Sequence, residues 1–503
     1  MSLVRRNIVA NAAGKGWSVL ISLALVPVYI RFLGIEAYGL IGIFLSLYAI
    51  MSLLDLGLGT TLNRELARMS AQAGAGQQMR DMLRTLEFVY WLIGILIGLA
   101  IVASAPAIAA HWVKAQQLPG STVEQAVLLM GIAIACQWPI ALYTGGLMGL
   151  QRQVMLSAIS AATGTIRSIG AALVLWKVSA SIEAFLIWQI AASLGETLIN
   201  ALMLWRSLPP ATASARFRPH LVLSVWRFAA GMTGISTLTV ILTQLDKVIL
   251  SKMLTLELFG YYTLAGRVAS GLYFLISPVT AAFFPLLSQL VVVGDERELG
   301  RIYHRGCQVM SVLILPPAVV LMLYSQEVLL LWTRDVSIAA NTHLMLSLLV
   351  AGAALNALVG LPLALQLAYG WTRLVLIINA IAVVLLAPLI YFMSLRYGGV
   401  GAAAVWVLLN AGYVLVIQNL MHRRLLRGEL WRWYRLDIGR PLLASLAVAL
   451  AWKWLIVFPE TIVTSLFNLI LVSAATLAAA VIAASEIRLW AMRRLMPTID
   501  PAK

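Results

Sequence analysis

A small set of ionisable side chains lies inside or at the ends of long apolar runs, and these are the residues that could do chemistry. The set comprises the acids Asp55, Glu196 and Asp246 and the bases Lys15, Arg64, Arg167, Lys247 and Arg267. Charged groups are costly in hydrocarbon, so inside membrane spans they form ion pairs, bind charged substrates or carry protons. The sequence therefore predicts a polar interior with one or more of these roles.

The composition excludes a soluble protein. The chain has 503 residues, of which 61% are hydrophobic and 11% are charged, whereas soluble domains are about 25% charged. Apolar runs of about 18 residues or more recur from end to end, and each can cross about 30 Å of hydrocarbon. The net charge of +16 then reports membrane orientation rather than nucleic-acid binding. Two cysteines predict neither a disulfide framework nor a metal site.

We predict an all-α polytopic membrane protein with about 14 transmembrane helices. The predicted spans are 8–30, 38–63, 86–110, 123–149, 154–176, 182–205, 224–251, 258–292, 306–332, 341–367, 374–394, 401–421, 441–458 and 462–485. Because the eighth span contains Pro278 and Pro285, we expect a kink or break there. Loops on the side of the N-terminus hold roughly four times as many Arg and Lys residues as the opposite loops, which places both termini in the cytoplasm.

The chain also contains an internal repeat. "RFLGIEAYGLIGI" (31–43) aligns with "KMLTLELFGYYTL" (252–264) at an offset of 221, and "IEAFLIW" (182–188) aligns with "VGAAAVW" (400–406) at an offset of 218. Six spans separate the copies, so both copies cross the membrane in the same direction. Parallel repeats with a pathway between them are a transporter arrangement. The predicted regions are an N-lobe at 1–222, a C-lobe at 223–440, and a hairpin with a basic tail at 441–503.

Four segments carry a family resemblance. They are "VPVYIRFLGIEAYGLIGIFLSL", "LDLGLGTTLNRELA", "GLMGLQRQVMLSAIS" and "TQLDKVILSKMLTLELFGYYTLAGRV". They resemble the polysaccharide biosynthesis (O-antigen flippase, Wzx-type) family of the multidrug/oligosaccharidyl-lipid/polysaccharide exporter superfamily. The resemblance implies a V-shaped pair of six-helix bundles that opens alternately to each side of a bacterial inner membrane. It also implies a cargo of polyprenyl-pyrophosphate-linked oligosaccharide, for O-antigen, capsule or exopolysaccharide, with membrane lipids as surroundings.

Such a cargo requires cationic groups for its pyrophosphate, and Arg can hold phosphate through two hydrogen bonds. Arg167 in "GTIRSIG" is the first candidate, because Gly164, Ser168 and Gly170 leave room around it, although it could instead pair with Glu196. The other candidate contacts to the substrate, deep in spans or at the inner mouth, are Arg267, Arg64 and Lys15.

The acids are candidates for ion coupling. Glu196 lies in apolar surroundings in "SLGETLIN", and Asp55 lies in span 2, where it could pair with Lys15 or act in the pathway. Asp246 stands beside Lys247 near the outer boundary, where local pairing is the simpler interpretation.

Other functions remain open from sequence. A multidrug or metabolite exporter and a muropeptide-lipid flippase of the same superfamily share the predicted plan. An O-antigen polymerase or ligase, which is a membrane enzyme, is disfavoured because no outer loop is long enough to hold its reacting groups. The scattered histidines and the lack of a Walker loop or HExxH motif predict no ATPase, catalytic or metal site and no cofactor. A polysaccharide polymerase or export machinery is a candidate partner, and we expect a monomer.

Overall fold

The structure of the protein is a computed structural model that describes residues 3–55, 57–72, 74–211, 213–456 and 461–488. The side chains at 3–13, 15 and 223–236 are outside the described set. Within the described ranges every regular element is a helix, so the predicted all-α fold is confirmed.

Contacts divide the chain into a first unit, Met1–Gly260, and a second unit, Tyr261–Lys503. The helices of the first unit are α1 (Leu3–Met51), α2 (Leu58–Ser70), α3 (Gly76–His111), α4 (Gly120–Gln137), α5 (Ile140–Gly149), α6 (Gln153–Lys177), α7 (Ile182–Ser207), α8 (Pro219–Met253) and the start of α9 (Leu256–Ala269). The predicted lobes follow the sequence repeat rather than these contacts, and their boundaries stay a prediction.

The second unit contains the rest of α9 and ten further helices. These are α10 (Tyr273–Val293), α11 (Glu296–Leu323), α12 (Ser325–Thr333), α13 (Val336–Leu358), α14 (Gly360–Ala368), α15 (Arg373–Gly412), α16 (Gln418–Arg424), α17 (Leu430–Arg432), α18 (Arg440–Leu455) and α19 (Ile462–Ala483). Two π-helical segments, Tyr413–Ile417 and Trp433–Gly439, join neighbouring α-helices. Wider π turns of this kind occur often at functional sites.

Eleven stretches of the described helices are long and apolar enough to cross a membrane, which makes the chain a multi-pass membrane protein. Two of them, Gly16–Asp55 and Arg373–Arg424, each contain a glycine at which two helices meet. Gly34 has φ 80° and Gly398 has φ 58°, a backbone region that glycine adopts without the steric penalty of a Cβ. The number of spans therefore depends on how these two are divided, and the predicted 14 stays a prediction.

The predicted eighth span contains an interruption, which lies before its two prolines, Pro278 and Pro285, and a kink at either proline stays a prediction. Both prolines are inside α10, which is continuous from Tyr273 to Val293. The α-helical run is instead interrupted before the prolines, at the 3₁₀ turn Ser270–Leu272. A proline removes one backbone donor and restricts φ, and here α10 continues through both positions despite that loss.

The repeat found in the sequence reappears as a reciprocal backbone contact inside the first unit. A Cβ added to Gly39 would collide with the carbonyl oxygen of Leu256, and one added to Gly260 would collide with the carbonyl oxygen of Ile35. Both pairs are related by the offset of 221 that aligns the two copies. Each copy therefore offers a glycine to the other copy's carbonyl group, and only glycine permits so close an approach.

A carboxylate beside this contact holds a loop in place. Glu36 is buried, and its two carboxylate oxygens accept hydrogen bonds from the backbone N–H groups of Gln116 and Gln117 at 2.5 and 2.9 Å. The same loop pairs with the start of α9, because the N–H of Leu256 donates to the carbonyl of Lys114 at 2.9 Å. The first unit thus fixes the end of α3 against both copies of the repeat.

Candidate functional site

The centre of the candidate site is an ion pair between neighbouring helices α6 and α7. The Arg167 Nη2 atom lies 2.7 Å from Glu196 Oε2, and each side chain is 18% exposed. Arg167 Nη1 also donates to Gln189 Oε1 at 3.5 Å. Lengths near 2.7 Å are typical of strong charge-assisted hydrogen bonds. The pairing that the sequence left open as an alternative role for Arg167 is therefore present.

The room predicted around Arg167 is largely filled, and that expectation was wrong for two of its three small residues. Trp188 occupies the space beside Gly170, where any Cβ would collide with the indole ring, and its Nε1 donates to the Arg167 carbonyl at 2.9 Å. Gly164 faces α1, where a Cβ would lie 3.3 Å from Ser18 Oγ. On α7, a Cβ at Gly195, the residue before Glu196, would meet no heavy atom within 4 Å.

Tyr48 connects the ion pair to the rest of the interior. Its hydroxyl group hydrogen-bonds the side chain of Gln137, and it lies within electrostatic range of Arg167, Glu196 and Asp55. Tyr48 belongs to α1 and Gln137 to α4. Residues from four helices therefore converge on one polar cluster, which we call the first-unit cluster: Tyr48, Gln137, Arg167, Gln189 and Glu196.

Asp55 lies next to this cluster, and its contacts account for a carboxylate in an apolar run. The chain leaves α1 through the 3₁₀ turn Ser52–Asp55 and re-enters a helix at Leu58, after Gly57 with φ 72°. The Asp55 carboxylate accepts a hydrogen bond from the Tyr90 hydroxyl group of α3 and lies beside the backbone at the start of α2.

The predicted partner of Asp55 is not tested, because the Lys15 side chain lies outside the described residues. Arg64, on α2, is about half exposed and lies 3.5 Å from Glu65. Asp246 lies 3.4 Å from Lys247, whose Nζ also donates to the Thr243 carbonyl at 2.6 Å, which matches the simpler interpretation of a local pair.

Arg267 belongs to the second unit. It lies on α9, and its carbonyl accepts a hydrogen bond from Ser270 at 2.7 Å, at the turn that ends this helix. The structure therefore brings Arg167 and Glu196 together and places Asp55 near them, within the first unit. The substrate and coupling roles of all these residues stay predictions.

Glu87 is a largely enclosed acid, with a side chain 12% exposed, that the sequence did not single out. Its carboxylate accepts hydrogen bonds from Tyr143 Oη at 2.7 Å and Trp205 Nε1 at 3.2 Å, and it pairs with Arg84 at 3.0 Å. It was overlooked because it falls at the predicted start of span 3, where an acid is ordinary. The Tyr and Trp residues of the neighbouring spans could have indicated it, because their polar atoms need hydrogen-bond partners when they are buried.

The polar interior of the second unit is different. Contacts of α13 and α15 are between neutral groups: Asn356 Nδ2 donates to Asn410 Oδ1, and Tyr413 Oη, just after α15, donates to Asn379 Oδ1, both at 2.8 Å. A second cluster, around His304, was also overlooked in the sequence. Among the described residues no group of three or more His, Cys, Asp or Glu side chains is arranged to hold a metal ion.

Comparison with known proteins extends these observations. A family model described as "Polysaccharide biosynthesis protein" matches residues 28–335. The "Putative O-antigen transporter" of Shigella flexneri is 24% identical over 434 residues, which cover 84% of this chain and 98% of that protein.

Two solved structures show a similar fold. The lipid II flippase MurJ, in an inward closed conformation, has a TM-score of 0.72 at 15% identity, covering 97% of this chain and 100% of that one. An inward-facing multidrug resistance MATE family transporter of the MOP superfamily has a TM-score of 0.66 at 15% identity, covering 81% and 94%. At this identity the likeness concerns the fold alone.

Proposed function

We propose, from the premise that the chain belongs to the polysaccharide biosynthesis protein family, that it moves a polyprenyl-pyrophosphate-linked oligosaccharide from the cytoplasmic to the outer leaflet of a bacterial inner membrane. Both termini lie in the cytoplasm, and the protein works by alternating access without being an enzyme. The family match, the multi-pass helical fold and the O-antigen transporter of Shigella flexneri as a relative support this proposal.

The observation that carries the proposal is the Arg167–Glu196 pair at 2.7 Å in the interior of the first unit. A buried ion pair is a poor way to stabilise a fold, because two charges must be desolvated to make one attraction. A site that must bind and release an anion needs a cation in the interior, and this function would account for the cost of desolvating Arg167 and Glu196. Arg167 is then held in position by Glu196 while the anion is absent.

The pair suggests an exchange mechanism. A pyrophosphate group that reaches Arg167 competes with Glu196 for the guanidinium, which can donate two parallel hydrogen bonds to phosphate oxygens. The displaced carboxylate would be a buried charge without a partner, and a proton from the aqueous side neutralises it. Release of the cargo reverses both steps. Substrate binding at Arg167 and proton binding at Glu196 are thereby linked through one ion pair.

Arg267 is proposed as the second cation for the cargo, and Arg64 as the residue that first meets it at the inner mouth. Asp55 has a structural role in our proposal, because its carboxylate already accepts a hydrogen bond from Tyr90.

A muropeptide-lipid flippase is the second candidate, since MurJ is similar over 97% of this chain and its cargo class also carries an anionic head. The identity of the lipid-linked sugar that accumulates without the protein separates the two candidates. A multidrug exporter would leave both sugars unchanged and alter drug sensitivity instead.

The test uses a deletion strain that expresses either the wild-type protein, Arg167→Ala, Glu196→Gln or the double variant. We expect Arg167→Ala to reduce transport of the lipid-linked oligosaccharide by about ten- to hundred-fold, since a hydrogen bond to a charged group contributes about 1.5–3 kcal/mol. The measurements are the oligosaccharide on the inner leaflet and the polymer at the surface, at matched protein levels in the membrane.

The double variant distinguishes a role of Arg167 in binding the cargo from a role in neutralising Glu196. If Arg167 only neutralises Glu196, removing both charges restores transport; if Arg167 binds the cargo, the double variant stays inactive. Arg301→Ala is the control, because Arg301 pairs with Glu298 at 2.6 Å where the two side chains are 47% and 31% exposed. Restored transport in the double variant would contradict the assignment of Arg167.

A further inference from the structure

A buried histidine in the second unit lies between two carboxylates. His304 of α11 has no exposed surface, and its Nδ1 atom hydrogen-bonds Asp437 Oδ2 in the π-helical segment Trp433–Gly439. Its Nε2 atom lies 3.0 Å from Glu429 Oε2, just before α17. The two acids are 133 and 125 residues away from His304 in the chain. We call these three residues the His304 triad.

The hydrogen-bond chemistry of the triad defines its charge. An ionised carboxylate only accepts hydrogen bonds, so with both acids ionised both imidazole nitrogens must carry a hydrogen. The triad then contains one cation and two anions, and its net charge is negative. Burial of unbalanced charge is costly. Arg432, 3.5 Å from Glu429, offsets part of the negative charge, and one additional proton makes the three side chains neutral.

The triad reaches water at one end only. Glu429 is 36% exposed and lines an open cleft of about 990 Å³, together with the first turn of α11 and the segment before α17. Asp437 has no exposed surface. His304 therefore connects Glu429, which faces water, to Asp437, which does not. A proton taken up at Glu429 can thus be relayed through the imidazole to Asp437.

Other polar groups hold the triad in place. Gln308, one turn along α11 from His304, donates to Asp437 Oδ1 at 2.9 Å and accepts from the backbone N–H of Glu486 at 2.8 Å. Arg432 lies 3.0 Å from Glu486 and 3.5 Å from Glu429. These contacts tie α11 to the segments that precede α18 and follow α19.

Other titratable groups lie near His304. His422 of α16 donates from Nδ1 to the Gln418 carbonyl, 2.8 Å away, and its Nε2 atom lies 3.2 Å from Tyr303 Oη. Tyr303 and the thiol of Cys307 are buried on α11 itself. Arg432 contacts both Glu486 and Glu429, so its positive charge is shared between an acid of the triad and an acid outside it.

We propose that Glu429, His304 and Asp437 form a proton-binding site of the second unit, filled from the cleft. A hydronium ion gives its proton to Glu429, the Nδ1 proton of the imidazolium shifts to Asp437, and water is the product. All three side chains are then neutral, and the hydrogen bonds between them remain. This site is separate from Glu196 and does not depend on the cargo assigned above.

The test is an infrared difference titration of the purified full-length protein in lipid vesicles, from neutral to acidic pH, with the proton uptake counted in parallel. We expect C=O bands of protonated carboxyl groups to appear on acidification. Glu429→Gln should remove one band, and Asp437→Asn should remove another. In the wild type both bands should appear with the uptake of one proton, because the imidazolium supplies the other. In His304→Gln each carboxyl group must take its own proton, so the two bands should appear independently and one proton should be taken up for each band.

The control is Glu298→Gln, which changes an acid on the same cleft that pairs with Arg301; the bands of the triad should be unchanged. Because Glu429 is partly exposed, Glu429→Gln is expected to fold even if changes at Asp437 do not. A Glu429→Gln protein with wild-type bands and wild-type uptake would overturn the proposal. No cargo is present in this experiment, so its outcome is independent of the transport test.

Discussion

The two copies of the repeat share a backbone contact but differ in the chemistry of the interiors that follow. Gly39 and Gly260 make equivalent contacts with the carbonyl groups of Leu256 and Ile35. In the first unit, however, α6 and α7 carry the Arg167–Glu196 ion pair. At the offset of 218 that aligns Trp188 with Trp406, Glu196 corresponds to Val414.

The corresponding interior of the second unit is held by amide and hydroxyl groups, as in the Asn356–Asn410 and Tyr413–Asn379 contacts. Its buried charges are gathered around His304, at the cleft end of α11. The comparison indicates that a repeated scaffold can keep its helix contacts while the polar contacts of its two halves differ: an ion pair joins α6 to α7, whereas amide and hydroxyl groups make the contacts of α13 and α15. We expect the charged interior to be sensitive to loss of single residues and the neutral one to be tolerant.

The largest expected effect comes from separating the ion pair. Arg167→Leu or Glu196→Leu alone should lower the free energy of unfolding by about 3–5 kcal/mol, because each leaves an uncompensated buried charge. The double variant should recover most of that loss, since two apolar side chains can replace a buried pair with little net change. Denaturant unfolding of the purified protein in detergent measures all three values.

A matched control for this cycle is Arg301→Leu, which breaks an exposed pair with Glu298 and should change stability by about 1 kcal/mol or less. If the single variants of the interior pair cost no more than this control, the first unit does not depend on its charges for stability. The contrast between the two interiors would then not extend to their energetics.

An intermediate effect is expected at the shared contact. Gly39→Ala and Gly260→Ala each place a methyl group against a backbone carbonyl, and such overpacking costs about 1–3 kcal/mol. Because the contact is reciprocal, the two losses should be similar. Thermal unfolding of both variants, beside Gly16→Ala, where a Cβ meets no heavy atom within 4 Å, measures the difference. A loss at only one of the two glycines would show that the contact is not equivalent in its energetics.

The sequence predicted the features that depend on hydropathy and on local spacing. The helical fold and the charged residues within the spans follow from patterns in nearby residues. The repeat follows from similar residue spacing in two segments at an offset of 221. The Arg167–Glu196 pair was foreseeable because α6 and α7 are consecutive and both residues lie deep in their spans. The location of the break near α10 was not, because proline is tolerated in a membrane helix when neighbours satisfy the freed backbone group.

Features that depend on distant parts of the chain were missed. Gly170 was expected to leave room for a ligand, yet Trp188 fills that space, since a glycine beside a neighbouring helix admits a large side chain as readily as a ligand. The His304 triad joins residues more than a hundred positions apart. Glu429 and Asp437 lie in a strongly basic stretch of the sequence, and neither acid was predicted to belong to a site.

The smallest effect is expected in the neutral interior, and it completes the comparison. Asn410→Leu removes one interhelical hydrogen bond, and such bonds in membrane proteins contribute about 0.6–1.7 kcal/mol. The loss should be lower than that caused by Glu196→Leu because no charge is left without a partner, and the double variant Asn356→Leu/Asn410→Leu should be near the wild type. Unfolding in the same detergent measures it, and transport by the double variant should remain. A loss of unfolding free energy as large as that of Glu196→Leu would mean that the second unit depends on its amides as strongly as the first unit depends on its ion pair. The difference between the two sets of contacts would then not explain how the protein works.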